Sequence, residues 1–164
     1  QRVALLKGVT EEHLAHVYRS RLRLNPGAAE LVLACKAAGL KVLLVSGGFT
    51  YFAERLRDRL ALDFARSNQL EIVDGQLTGR LLDQSWGDIC DGAMKKETLL
   101  RTCSLIGCSP AQAIAMGDGA NDLEMMGVAG LSVAYRAKPK VRAQARVAID
   151  MGGLDRLLEL FKNP

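Results

Sequence analysis

The stretch Ala113–Met126, AIAMGDGANDLEMM, decides the fold. An apolar run, Ala113 to Met116, enters a glycine-punctuated turn that carries Asp118, Asn121 and Asp122, and a helix follows. This is the form of a buried strand that delivers a ligand or metal site at its exit. Gly117 and Gly119 admit tight or positive-φ backbone. Asp118 and Asp122, four residues apart across the turn, can face one cavity. Hard oxygen donors grouped in this way suit Mg2+ better than zinc. The competing reading is an Asx-turn with helix-capping residues. Met125 and Met126 read as core behind the turn.

The same form recurs upstream in LKVLLVSGGFTYF, Leu40–Phe52. The run Val42 to Val45 ends in Ser46, Gly47 and Gly48, and helical periodicity begins at Phe49. A hydroxyl and unhindered backbone N–H groups at a helix start make an anion cradle; the alternative has Ser46 merely capping the helix. Between the two stretches, GAMKKETLL puts Lys95 ahead of another apolar-periodic segment. A lysine there is usually solvated. Lys96 leaves the register open by one residue, and the spacing Lys-x-x-Thr-Leu favours Lys95.

Outward from these stretches, helix and strand patterns alternate. Thr10 caps a helix that ends near Leu24, and Asn25-Pro26-Gly27 supplies a cap and an N1 proline for a second, stopped by Gly39. Lys41 to Val45 reads as a strand buried on both faces, followed by a helix from Phe49 to Leu60. Leu70–Val73 and Gln76–Leu82 flank Asp74-Gly75 as a hairpin. A helix from Met94 to Ile106 closes at Gly107, and Ser109-Pro110 caps a short turn before the strand Ala113–Met116. Leu131–Ala134 and Val147–Ile149 are strands, Pro139–Ala145 and Leu154–Phe161 helices. The alternation predicts a parallel α/β sheet with sites at the strand C-termini.

The 164 residues, 49% hydrophobic and 24% charged, have the balance of one globular domain, and with 5% aromatics its core is aliphatic. No run approaches the roughly 18 apolar residues of a membrane span, and no basic-then-apolar leader opens the chain, so no membrane partner is expected. Cys35, Cys90, Cys103 and Cys108 form no CxxC pair and read as reduced core thiols of a cytoplasmic protein. The net charge of +4 is spread among acids, and the most basic stretch, Arg136 to Arg146, is broken by Ala and Val. No nucleic-acid partner is expected. His13 and His16, at i and i+3, read as an exposed helix face rather than a shared metal site, and Trp86 as a packing residue at a loop.

Ser-Gly-Gly, then Lys, then Gly-Asp-Gly-Ala-Asn-Asp is the order of motifs II, III and IV in the haloacid dehalogenase-like phosphohydrolases. With DGQLTG at 74–79, AKP at 137–139, and QRVALLKG at 1–8 looking like the end of a substrate-covering cap, the chain most resembles the phosphoserine phosphatase family of that superfamily. The resemblance implies an α/β fold: a three-layer, mostly parallel Rossmann-like sheet with crossover helices and a β-hairpin. Residues 1–24 would be a remnant of a helical cap and residues 25–164 the core. It also implies Mg2+-dependent phosphomonoester hydrolysis through an aspartyl phosphate, with a small phosphorylated amino acid, O-phospho-L-serine, as substrate in serine biosynthesis. Carried over by motif, Asp118 holds Mg2+, Ser46 and Gly47 hydrogen-bond phosphate oxygens, and Lys95 stabilises their charge. Asn121 contacts the phosphate or substrate side. Asp122 belongs to the metal site directly or orients Lys95 or a metal-bound water. Arg2 matches the cap arginine that binds the substrate carboxylate.

One departure outweighs the matches. The family's nucleophile lies in a DxDxT motif at the end of the first strand, and the chain contains no DxDxT. Asp74 reads as a turn residue, and Asp83, Asp88 and Asp91 follow no strand, so none replaces it. Gln1 opens inside a helical pattern, and the expectation is the C-terminal part of a longer protein, inactive alone. In the resembled fold the missing strand separates Lys41–Ser46 from Ala113–Met116. The expectation is that another segment, a neighbouring chain or direct pairing of the two strands fills the gap, the unpaired edge otherwise inviting self-association. Two other functions stay open: a phosphatase or phosphotransferase for another small phosphate, and a non-catalytic phosphate-binding domain.

Overall fold

The computed structural model describes residues 2–84 and 89–162. Trp86 and Asp88, both read from the sequence, lie outside the described residues. In chain order the elements are α1 (Glu11–Ser20), α2 (Ala28–Ala37), β1 (Leu43–Phe49), α3 (Thr50–Leu60), β2 (Phe64–Asn68), β3 (Leu70–Val73), β4 (Gln76–Leu81), α4 (Gly92–Ile106), β5 (Ile114–Gly117), α5 (Leu123–Val128), β6 (Leu131–Tyr135), α6 (Pro139–Gln144) and β7 (Val147–Ile149). The architecture is the expected mixed α/β one, with parallel ladders joined through helices. It divides into two units, Gln1–Leu24 with Leu43–Ile89, and Asn25–Val42 with Cys90–Pro164.

In the first unit β1 and β2 run parallel, joined by α3, with Leu43 beside Phe64, Leu44 beside Ala65 and Val45 beside Arg66. β3 and β4 form the expected antiparallel hairpin. Its turn residues Asp74 (φ 50°) and Gly75 (φ 74°) are both left-handed, as a type I′ connection requires. A short 3₁₀ turn, Val3–Leu6, lies against β4. There Gly79 sits at φ 85°, and a Cβ on it would stand 3.2 Å from the Ala4 backbone. Leu14 of α1, Leu70 and Leu77 form a buried cluster, with Val3, Leu6, Val9 and Phe52 packed around it. Fully burying one such leucine contributes about 1.5–3 kcal/mol.

α1 begins with a reciprocal cap: Thr10 Oγ1 accepts the His13 N–H at 3.2 Å, and His13 Nδ1 lies 3.2 Å from the Thr10 nitrogen. His13 thus takes the place usually held by Glu or Gln in a capping box. Both histidines are exposed. The helix stops at Ser20, short of the expected Leu24. α2 is capped by Gly27 at φ 74° with no side-chain cap bond, so Asn25 does not cap it. The Asp155 side chain packs where a Gly27 Cβ would be.

β1 departs most from its reading. It begins at Leu43 and runs on through Ser46-Gly47-Gly48 to Phe49, leaving α3 to start at Thr50. Apart from exposed Gly47 its residues are half-buried, so it is not covered on both faces. β2 was not visible in the sequence. Its last three residues, Arg66, Ser67 and Asn68, are polar yet only 4%, 2% and 6% exposed.

In the second unit β5, β6 and β7 form a parallel sheet in that order. Ile114, Ala115, Met116 and Gly117 pair with Leu131, Ser132, Val133 and Ala134. Leu31, Val133, Tyr135, Ile149 and Leu157 form its core, and Met125 and Met126 are buried as read. α4 starts two residues earlier than the apolar period suggested, since Asp91 caps it by accepting the Met94 N–H at 3.0 Å. It closes at Gly107, φ 72°. The terminal segment Leu154–Phe161 is 3₁₀ rather than α; i and i+3 eclipse in that form, which turns Leu154 and Leu157 to the core together.

Among the described residues β1 has β2 as its ladder partner and β5 has β6. None of the four cysteines is in a disulfide. Burial pushes the Cys103 thiol up to about 11, helped by the neighbouring Cys108, and burial also raises Cys35. No helix among the described residues is long and apolar enough to cross a membrane.

Candidate active site

In the second unit the site grows from the end of β5. Asp122 folds back over the turn, and its Oδ2 accepts the N–H groups of Asp118 and Gly119, each at 3.1 Å. Its Oδ1 accepts Lys95 Nζ at 2.7 Å. Lys95 is 5% exposed and Asp122 6%, so an ion pair is sealed inside the unit with three donors on one carboxylate. Charge-assisted bonds of this kind are shorter and stronger than neutral ones. A buried pair persists only when such further bonds satisfy it.

The sequence builds this closure locally. A Cβ on Gly117 would meet the Asp122 carboxyl carbon and Oδ2 at 2.7 Å, so the glycine makes room for the returning side chain. A Cβ on Gly119 would stand 2.7 Å from Asn121 Oδ1. Lys95 rises from the first turn of α4, its N–H donating to the Asp91 carbonyl at 2.9 Å. Of the two lysines Lys95 is the one bonded to Asp122, and Lys96 is half-buried. The segment is not an Asx-turn, because Asp122 accepts N–H groups three and four residues before it; as the last residue of the 3₁₀ turn Ala120–Asp122 it reaches back to the start of that turn and holds the lysine at once.

Asp118 and Asn121 are exposed at the mouth of this turn. The Asp118 carbonyl accepts the Lys138 N–H at 3.2 Å, so the Ala137-Lys138-Pro139 segment braces the turn from β6. Among the described residues no three His, Cys, Asp or Glu side chains gather as a metal site. Asp118 offers a hard carboxylate oxygen at the end of a parallel strand, which fits one position in the oxygen shell of Mg2+. Both Asp122 oxygens already have donors.

The first unit carries the other motif. Ser46 Oγ accepts the Gly48 N–H at 3.0 Å, and the Gly47 carbonyl accepts Asn68 Nδ2 at 3.0 Å. α3 starts without a side-chain cap bond, so Ser46 is not its cap. The three residues lie in extended backbone rather than at a helix N-terminus, which corrects the expected form of the cradle. Arg2 is exposed and precedes the 3₁₀ turn Val3–Leu6. Asn68 escaped the sequence reading because it sits in a polar strand without hydropathic signal.

Comparison with known proteins agrees with these motifs. Residues 2–127 match the haloacid dehalogenase-like hydrolase family. A phosphoserine phosphatase from Polaromonas sp. is 71% identical over 162 residues, covering 99% of this chain and 69% of that protein. A crystal structure of a probable phosphoserine phosphatase from Vibrio cholerae, unliganded, superimposes with TM-score 0.89 at 44% identity, over 96% of this chain and 47% of that one. A substrate-bound phosphoserine phosphatase complex superimposes with TM-score 0.89 at 33% identity, over 97% of this chain and 73% of that one. The chain thus spans from about half to nearly three quarters of these relatives. It belongs to the haloacid dehalogenase-like hydrolases and, among them, to the phosphoserine phosphatases.

Proposed function

We propose that this chain supplies the phosphate- and Mg2+-binding part of an enzyme that hydrolyses O-phospho-L-serine to L-serine and phosphate through an aspartyl phosphate, in serine biosynthesis. The observation that carries the reading is the buried Lys95–Asp122 pair, 2.7 Å across, beneath a turn that leaves Asp118 exposed. Phosphoryl transfer depends on positioning and on neutralising charge at the equatorial oxygens. Lys95 is the fixed cation for that charge, and Asp122 keeps it pointed. Asp118 is the carboxylate for Mg2+, which when bound supplies further charge neutralisation. Ser46 and Gly47 donate hydrogen bonds to phosphate oxygens, Asn121 contacts the phosphate side, and Arg2 takes the substrate carboxylate. Four cysteines outside any disulfide suit a reducing, cytoplasmic setting.

The nucleophilic aspartate has to come from outside these 164 residues, because the sequence holds no DxDxT. The chain alone is therefore expected to release no phosphate from O-phospho-L-serine, measured as free phosphate over time with Mg2+ present. Mg2+-dependent release that vanishes in Asp118→Asn contradicts this. Joined to a DxDxT-bearing segment, the chain is expected to turn over O-phospho-L-serine in preference to other small phosphates; a panel of phosphomonoesters reads the preference. The missing nucleophile also favours a second reading, a phosphate-binding domain without turnover, which the joined protein refutes by any Mg2+-dependent hydrolysis.

A further inference from the structure

We propose that Asn68 is a positioning residue for the phosphate-binding strand, acting through Ser46. The inference rests on the reading of Ser46 and Gly47 as phosphate donors. Between Val45 and Phe49 the ladder slips: β1 takes four steps there while β2 takes two, from Arg66 to Asn68. Ser46, Gly47 and Gly48 are thereby released from regular pairing, and two adjacent glycines leave that backbone soft. Something else has to fix it.

The fix is a clamp on one peptide plane. The Gly47 carbonyl and the Gly48 N–H belong to the same planar trans unit and point in opposite directions. Asn68 Nδ2 holds the carbonyl at 3.0 Å, and Ser46 Oγ holds the N–H at 3.0 Å. The peptide cannot rotate without losing both bonds. Asn68 is only 6% exposed, and the ladder sets it opposite Phe49. At the other end, a hydroxyl has one hydrogen and two lone pairs. With one lone pair committed to Gly48, the Ser46 hydrogen is turned away from that amide and is left to donate to an anion. A Cβ at Gly48 would stand 3.1 Å from Ser46 Oγ and crowd that hydroxyl. Asn68 sets the peptide that sets the hydroxyl.

The test is titration of the 164-residue protein with inorganic phosphate in the presence of Mg2+, followed by the backbone amide resonances of Ser46, Gly47 and Gly48. In the wild type these amides shift. In Asn68→Ala the affinity falls about three- to tenfold, the worth of one net hydrogen bond, and Asn68→Asp, which sets an acceptor against the Gly47 carbonyl, falls further. Asn68→Ser serves if the alanine variant does not fold. A double-mutant cycle with Ser46→Ala separates positioning from mere stability: the Asn68 change adds no further loss once Ser46 is gone. Unchanged affinity in a folded Asn68 variant, or fully additive losses, overturns the proposal while leaving the phosphate site standing. A wild type that binds no phosphate overturns the functional reading and this inference with it.

Discussion

The two glycine-rich segments have the same sequence form and hold their backbones in different ways. The Ser46-Gly47-Gly48 stretch is kept by two neutral hydrogen bonds on one peptide, in residues no more than half-buried. The Gly117–Asp122 turn is kept by a buried carboxylate with three donors, one of them an ammonium group. A neutral bond contributes about 0.5–1.5 kcal/mol net, whereas removing one partner of a buried ion pair costs about 3–5 kcal/mol. The charged turn is therefore the rigid reference, and the neutral strand is the part whose geometry a single side chain can loosen.

The largest effect that would sharpen this contrast is Asp122→Ala. It strands the Lys95 ammonium in the interior, and the expected loss of stability is about 3–5 kcal/mol, read by urea unfolding. A loss below about 1 kcal/mol, the range of exposed pairs, would remove the difference between the two segments. Next comes Gly117→Ala. Its Cβ would meet the Asp122 carboxyl group at 2.7 Å, and relief of that overlap is expected to cost about 1–3 kcal/mol and to move the Asp118 and Gly119 amide resonances. No change in those amides would mean that the carboxylate has room to spare. The smallest effect is on pH. The Cys103 thiol is raised from an ordinary value near 9 to about 11 in the folded protein, so its contribution to stability is complete below pH 9 and is lost as pH rises toward 11. In Cys103→Ala, the part of the alkaline fall in melting temperature that belongs to this thiol should disappear.

Residues whose job shows in local chemistry were legible in the sequence. The Asp74-Gly75 turn, the helix stops at Gly39 and Gly107 and the strands either side of the Asp118 turn all follow from spacing and residue type. What stayed hidden depends on distant partners. β2 ends in buried Arg66, Ser67 and Asn68, polar residues that carry no apolar signal for a strand. The reach of β1 through three small or flexible residues depends on Asn68, 21 residues beyond Gly47. Ser46 read as a helix cap or cradle because nothing local says that its oxygen is taken by Gly48. The Lys95–Asp122 bond joins residues 27 apart, and only the family resemblance pointed to it.

The central claim is that the exposed carboxylate beside the locked lysine brings Mg2+ to a phosphoryl group. Isothermal titration of the chain with inorganic phosphate, with and without Mg2+, tests it most directly, using Asp118→Asn, a change at an exposed position that leaves the Lys95–Asp122 bond in place. The account predicts phosphate binding that strengthens with Mg2+ and loses that dependence in Asp118→Asn. Binding that ignores Mg2+, or a metal dependence that survives the substitution, contradicts it.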